Sequence, residues 1–168
     1  EFIGENGYFS SMFDFRAHSS GHSDKGWFDN KPVTPNAYRD NCFLTQKLVN
    51  PVGFISTVIE NHDESRGVNS YIPAEDLSDT SKKFIATMLM MQRGLPFIYQ
   101  GQEIGMENIV LENISTVDDI STIDEYALCL EEGFSEKEAL AIVNRFTRDN
   151  ARTPMQWSND ENAGFTKG

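Results

Sequence analysis

Asn61, His62 and Asp63 form the densest group of reactive side chains, and they follow a mostly apolar and β-branched run from Phe54 to Ile59. Asp63 offers two acceptor oxygens suited to a bidentate contact with a diol, and His62 and the distant Arg148 offer donors. Together they suit the hydroxyl groups of a sugar. A plainer reading stays open on these residues alone: Asp63 pairs with Arg66, and His62 satisfies a backbone carbonyl. Two similar polar bursts follow apolar runs, at Phe13-Asp14-Phe15-Arg16 and at Gln100-Gly101-Gln102-Glu103, and a further one lies at Arg148-Asp149-Asn150-Ala151-Arg152. Phe13 and Glu103 therefore join Asn61, His62, Asp63 and Arg148 as candidate site residues. The histidines read as scattered, so no metal site is expected. Neither a glycine-rich phosphate loop nor a Gly-x-Ser-x-Gly elbow is present.

The elements that must position these groups follow from periodicity. Phe54 to Glu60 reads as a strand buried on both faces, the kind found in parallel sheets, delivering Asn61–Asp63 at its carboxyl end. An aromatic-rich strand is expected over about Tyr8–Phe15 and a third over about Pro96–Gln100, with Pro96 tolerable only at its start. Between the first two, Thr34 offers an N-cap with Pro35 at the first helical position, and Tyr38, Cys42, Thr45 and Leu48 recur at helical spacing. A second helix is expected from Thr80 to Arg93, closed by Gly94. Strand, helix, strand, helix, strand makes two βαβ units and hence a parallel α/β sheet, whose polar bursts converge on one edge. From about residue 107 to 147 the pattern is a helical excursion. Thr122 with Glu125 and Ser135 with Glu138 have capping-box spacing there. A loop-like tail runs from 148 to 168.

With 168 residues, 39% hydrophobic and 24% charged, the chain is that of an ordinary globular domain. Its formal net charge of −12 argues against nucleic acid and against anionic membrane surfaces as partners. No apolar run approaches the roughly 20 residues of a membrane span. Cys42 and Cys129 sit in helical patterns and read as reduced core residues. No cofactor is implied. The chain begins Glu1-Phe2, without a recognisable leader, which reads as a piece of something longer.

Three blocks taken in order, Asn61-His62-Asp63, Gly94 to Met106 (GLPFIYQGQEIGM) and Arg148 to Trp157 (RDNARTPMQW), resemble the α-amylase superfamily. The match is to its branch of oligo-1,6-glucosidases, dextran glucosidases and trehalose-6-phosphate hydrolases, and it covers essentially the whole chain. The resemblance implies a (β/α)₈ barrel with its site at the carboxyl ends of the strands. It implies a retaining glycosidase, in which one carboxylate attacks the anomeric carbon and another protonates the departing oxygen. On that pattern Asp63 is the third carboxylate, which grips the reacting sugar. His62 is its sugar-contacting neighbour, and Arg148 is the arginine on the same glucose.

The departures matter as much. The Gly-x-Arg-x-Asp nucleophile motif and the Glu ending the fifth strand are not found here. The resemblance thus implies the sixth to eighth βα units only: a partial barrel, inactive alone, whose open sheet edges could pair with another copy. Where the branch has Gln-Pro-Arg after Asn-His-Asp, this chain has Glu64-Ser65-Arg66. Where isomaltose-cleaving members have Asp-Ile-Glu-Thr, it has Asp119-Ile120-Ser121-Thr122. The resemblance implies a cytoplasmic α-glucosidase acting on short oligosaccharides. Two alternatives on the same scaffold are a glucosyl transferase or sucrose isomerase, and a non-catalytic subunit of a membrane transporter.

Overall fold

The computed structural model describes residues 2–167. Three short strands, β1 (Ser11–Phe13), β2 (Phe54–Thr57) and β3 (Gly94–Pro96), form a parallel sheet in the order β1-β2-β3. All three are shorter than their apolar runs suggest. Val58 and Ile59 leave the ladder because Ile59 turns into a core with Val68, Ile72, Ile85 and Leu89. Glu60 then turns back to accept from the Gly67 amide at 2.6 Å. The third strand also starts earlier than expected. Gly94 pairs with Ile55 and Pro96 with Thr57, so proline closes this strand rather than opening it. An edge strand tolerates the missing N–H, and the Phe97 amide continues the ladder by donating to the Thr57 carbonyl at 2.9 Å.

The crossovers are α1 (Arg16–Ser19) with α2 (Pro35–Val49), and α3 (Gly67–Tyr71) with α4 (Asp79–Met90). Thr34 caps α2 as expected, its hydroxyl accepting from the Ala37 amide at 3.2 Å. Ser78 and Ser81 cap α4 reciprocally, and Gly94 belongs to β3, not to that helix's end. Beyond the sheet, α5 (Ile120–Glu131) and α6 (Glu136–Phe146) pack on each other with Cys129, Ala139 and Val143 fully buried between them. The Ser135–Glu138 capping box forms. The Thr122–Glu125 box does not. Asp119 caps α5 instead, and Glu125 accepts from the Trp27 amide at 2.7 Å, pinning the loop after α1 to the excursion. Trp27 against Phe146 and Phe28 against Phe134, with centroids 5.9 and 5.6 Å apart, complete that seam.

The sheet presents a concave face. Strands two positions apart stand about 10 Å apart, yet the rings of Phe13 and Phe97, on either side of β2, meet edge to face at 4.8 Å. Both rings remain almost half exposed. Helices cover the opposite face, so any ligand must approach from the concave side or from the carboxyl ends of the strands.

Candidate functional site

Residues 60–67 form a loop closed at its base by one carboxylate. Glu60 receives the Gly67 amide on one oxygen and the Arg66 guanidinium on the other, at 3.1 Å. Only glycine fits at 67, since a Cβ there would run into the Ile59 side chain. Asn61, His62 and Asp63 ride at the tip. Asn61 is spent on the turn, its Oδ1 accepting from the Asp63 amide at 2.7 Å. Asp63 is left half exposed, with His62 Nε2 at 3.2 Å from its Oδ2. The plainer alternative of an Asp63–Arg66 pair is overturned, because Arg66 turns inward to Glu60 and is completely buried.

Asp63 takes its cations from the far end of the chain. Residues Arg148–Ala151 form a single 3-10 turn after α6, which points Arg148 and Arg152 the same way. Arg152 Nη2 donates to Asp63 Oδ1 at 3.0 Å, and its Nε donates to the His62 carbonyl at 2.8 Å. Arg148 Nη1 stands 3.7 Å from the same Asp63 oxygen. Its Nε donates to Asp119 Oδ1 at 2.8 Å and its Nη2 to Ser121 Oγ at 2.9 Å. Asp119 is almost wholly buried. Its second oxygen accepts from both the amide and the hydroxyl of Thr122, at 3.0 and 2.7 Å. Burial opposes ionisation of Asp119. The Thr122 and Arg148 hydrogen bonds outweigh it and hold the carboxyl below the usual carboxylate range. A depressed folded-state pKa stabilises the native state above the unfolded pKa of about 3.9, and that stabilisation is lost as pH falls through the folded value. Asp119→Asn is therefore expected to lower the melting temperature at pH 7, and the gap to wild type should close below about pH 4. Thermal melts across that range test it; a gap unchanged at pH 3 would remove the charge on Asp119 as its cause.

Asn61, His62 and Asp63 border an opening with a second cavity beside it, and Arg148, Arg152 and Asp119 stand behind Asp63 without lining either. An opening of about 680 Å³ is lined by Phe13, Phe15, Phe97 and Tyr99 with Asn61, His62 and Asp63. Beside it lies a polar cavity of about 300 Å³ bounded by Trp27, Lys31, Glu125 and Arg145. His22, Asp63 and Glu64 line both. His18 fixes the partition: its Nε2 lies 2.6 Å from Glu64 Oε2, and the Tyr71 hydroxyl lies 3.3 Å from its Nδ1. His18 and His22 are not scattered but four residues apart, His18 on α1 and His22 just past its end, with ring centroids at 5.0 Å. Among the described residues no group of three His, Cys, Asp or Glu side chains is arranged to hold a metal ion.

The structure thus gathers Phe13, Asn61, His62, Asp63 and Arg148. Glu103 lies apart from them. Its carboxylate accepts from the Gly101 amide at 2.7 Å and borders a different cavity, with Lys82 and Asp79. Two members of the cluster were missed as site candidates in the sequence reading. Arg152 stands four residues after Arg148, a spacing that places both on one side of a single turn. Asp119 carries the Asp-x-x-Thr pattern of an N-cap, which the competing Thr-x-x-Glu pattern obscured.

Residues 4–168 match the alpha amylase catalytic domain family. The chain is 33% identical over 164 residues to an oligo-1,6-glucosidase of Halalkalibacterium halodurans, covering 98% of this chain and 29% of that protein. It is 35% identical over 158 residues to the oligo-1,6-glucosidase of Bacillus cereus, covering 94% and 28%. It also superposes on the trehalulose synthase MutB from Pseudomonas mesoacidophila MX-45 with a TM-score of 0.83 at 31% identity, over 95% of this chain and 29% of that one. The chain therefore spans less than a third of the length of the relatives it matches. Its three parallel strands and their helices are part of a (β/α)₈ barrel, and the chain belongs to the alpha-amylase catalytic domain family.

Proposed function

We propose that this chain forms the sugar-gripping part of a retaining α-glucosidase that acts on short α-glucosides in the cytoplasm. The observation that carries the reading is the half-exposed Asp63 carboxylate, flanked by Arg148, Arg152 and His62 at the open end of a parallel sheet. Such a carboxylate accepts hydrogen bonds from two neighbouring sugar hydroxyls. It holds them more tightly as positive charge grows on the ring in an oxocarbenium-like transition state. Arg148 and Arg152 stand against its Oδ1, and their remaining N–H groups are donors for the same sugar. Phe13 and Phe97 offer apolar ring faces beside it, suited to the C–H face of a pyranose. The adjoining polar cavity, with Trp27 as its aromatic wall, has room for the departing sugar. Attack and protonation need two further carboxylates, which belong to barrel strands outside this chain. The exposed β1 and β3 edges are where those strands would pair, and in isolation they invite self-association.

Exchange of this chain for the corresponding segment of the Bacillus cereus oligo-1,6-glucosidase tests the reading. The chimera is expected to release nitrophenol from a nitrophenyl α-glucoside, whereas the 168-residue chain alone is expected to release none. A folded chimera without activity would overturn the proposal, and so would turnover by the chain alone. The similarity to a trehalulose synthase supports a second reading, an isomerase on the same scaffold. Incubation of the chimera with sucrose separates the two: an isomerase yields a rearranged disaccharide, a hydrolase glucose and fructose.

A further inference from the structure

The Asp63 cluster does not hold itself together. Side-chain exposure is 53% for Asp63, 28% for Arg148 and 39% for Arg152, and ion pairs this open to water contribute about 0–1 kcal/mol each. The distance between the 61–63 tip and the 148–152 turn must be set underneath, by groups shielded from solvent. Arg66 lies there with none of its side chain exposed. Its Nη1 donates to Glu60 Oε1 at 3.1 Å and to the Gln100 carbonyl at 2.8 Å; its Nε donates to the Asn150 carbonyl at 3.3 Å. Its Nη2 faces Met106 Sδ at 3.8 Å, and the guanidinium lies 5.5 Å from the centre of the Tyr99 ring.

Each partner belongs to a different body. Glu60 closes the loop that carries Asp63, and Gln100 follows β3. Asn150 lies midway between Arg148 and Arg152, two residues from each. The Asn150 side chain is in turn tied to the excursion, through the Ile109 amide at 3.1 Å and the Asn144 carbonyl at 2.9 Å. Turn and excursion therefore move as one piece, and Arg66 joins that piece to the base of the Asp63 loop. A planar fork with five N–H donors spans such divergent acceptors; an ammonium group does not.

We propose that Arg66, with Glu60 as its buried counter-charge, is a positioning residue that sets the spacing between Asp63 and the Arg148–Arg152 turn. The proposal rests on the sugar-site reading above for its functional meaning, but its test does not. The Arg152 Nε–H, which donates to the His62 carbonyl, reports the tip-to-turn relation directly by side-chain nitrogen NMR of the 168-residue chain. Replacing both charges, Glu60→Met with Arg66→Met, removes the side-chain link without leaving a buried ion unpaired and keeps the Arg66 amide on Asn108 Oδ1, and such exchanges are often neutral or stabilising. The expected result is a melting temperature near that of the wild type with Arg152 Nε–H exchange about tenfold faster, as local opening becomes easier. A wild-type melt with an unchanged Arg152 resonance and exchange rate overturns the proposal. Should the double variant fail to fold, Arg66→Lys decides. It keeps the charge and loses the fork, so a displaced Arg152 signal in the folded protein supports the link and an unchanged one overturns it. Failure of both variants to fold also overturns it, since Arg66 would then serve the whole fold and not this spacing. An inactive chimera together with a displaced Arg152 signal would sink the sugar reading and leave the positioning role standing.

Discussion

Asp63→Asn in the Bacillus cereus chimera is expected to lower turnover about a thousandfold, equivalent to roughly 4 kcal/mol of transition-state stabilisation. The reasoning runs through charge and not shape. Asparagine keeps the size of the side chain and one acceptor oxygen but loses the negative charge. It also turns a second acceptor into a donor, which a sugar hydroxyl already bonded elsewhere cannot use. The effect should fall mainly on kcat, because the carboxylate matters most when the ring has become cationic. Stability should change little, since the Asp63 ion pairs face solvent and a surface substitution typically stays within about 0.5 kcal/mol. Steady-state kinetics beside a thermal melt distinguish the two effects. Retention of a tenth of the chimera's activity would remove Asp63 from this role.

Arg66→Met alone should damage the fold more than any substitution in the Asp63 cluster. It leaves the Glu60 carboxylate buried with only the Gly67 amide for company, and stripping one partner from a buried pair costs about 3–5 kcal/mol. For a chain of this length that is a fall in melting temperature of roughly 10 °C. The loss should also depend on pH. Burial already pushes the Glu60 carboxyl above its usual range, against the Gly67 and Arg66 hydrogen bonds that favour its charge. A raised carboxyl pKa favours the native state below the unfolded value of about 4.3, and this contribution is lost as pH rises through the folded value. Without Arg66 the folded value rises further, so the deficit against wild type should be largest near pH 7 and shrink towards pH 4. Melts of both proteins at pH 7 and pH 4.5 check this, and a deficit independent of pH would point to lost packing instead of a stranded charge.

Local chemistry was the most legible part of the sequence. Thr34 and Pro35 start α2 where their types require, and Ser135 with Glu138 starts α6, because those signals are satisfied within one turn of backbone. The parallel sheet was legible too, since alternating apolar runs and amphipathic helices leave few other topologies. Errors arose where a distant partner competes with a local one. Glu125 could close a box with Thr122, yet the Trp27 amide, 98 residues away in sequence, claims it. The run through Ile59 could extend β2, yet Ile59 gains more by entering the core with Leu89. At the site, Asp63, His62 and Arg148 stood out as polar groups after apolar or helical runs. The pairing of Arg66 with Asp63 stayed open as an alternative because sequence order hides the inward turn that brings Arg66 to Glu60. Glu103 was misgrouped for a related reason: its own loop satisfies it before it can reach the concave face.

The brevity of the strands bears on how this piece finds its neighbours. With three residues in β1 and three in β3, each outer edge can template only a bond or two, too few to select a partner or a register. Discrimination between a correct neighbour and a stray copy must then reside in shape: the ring of Phe13 on the concave face and the exposed apolar ridges of the flanking helices, where Phe43, Leu48, Phe84 and Met91 stand open. An incoming strand is recognised by the pocket it fills more than by the ladder it extends.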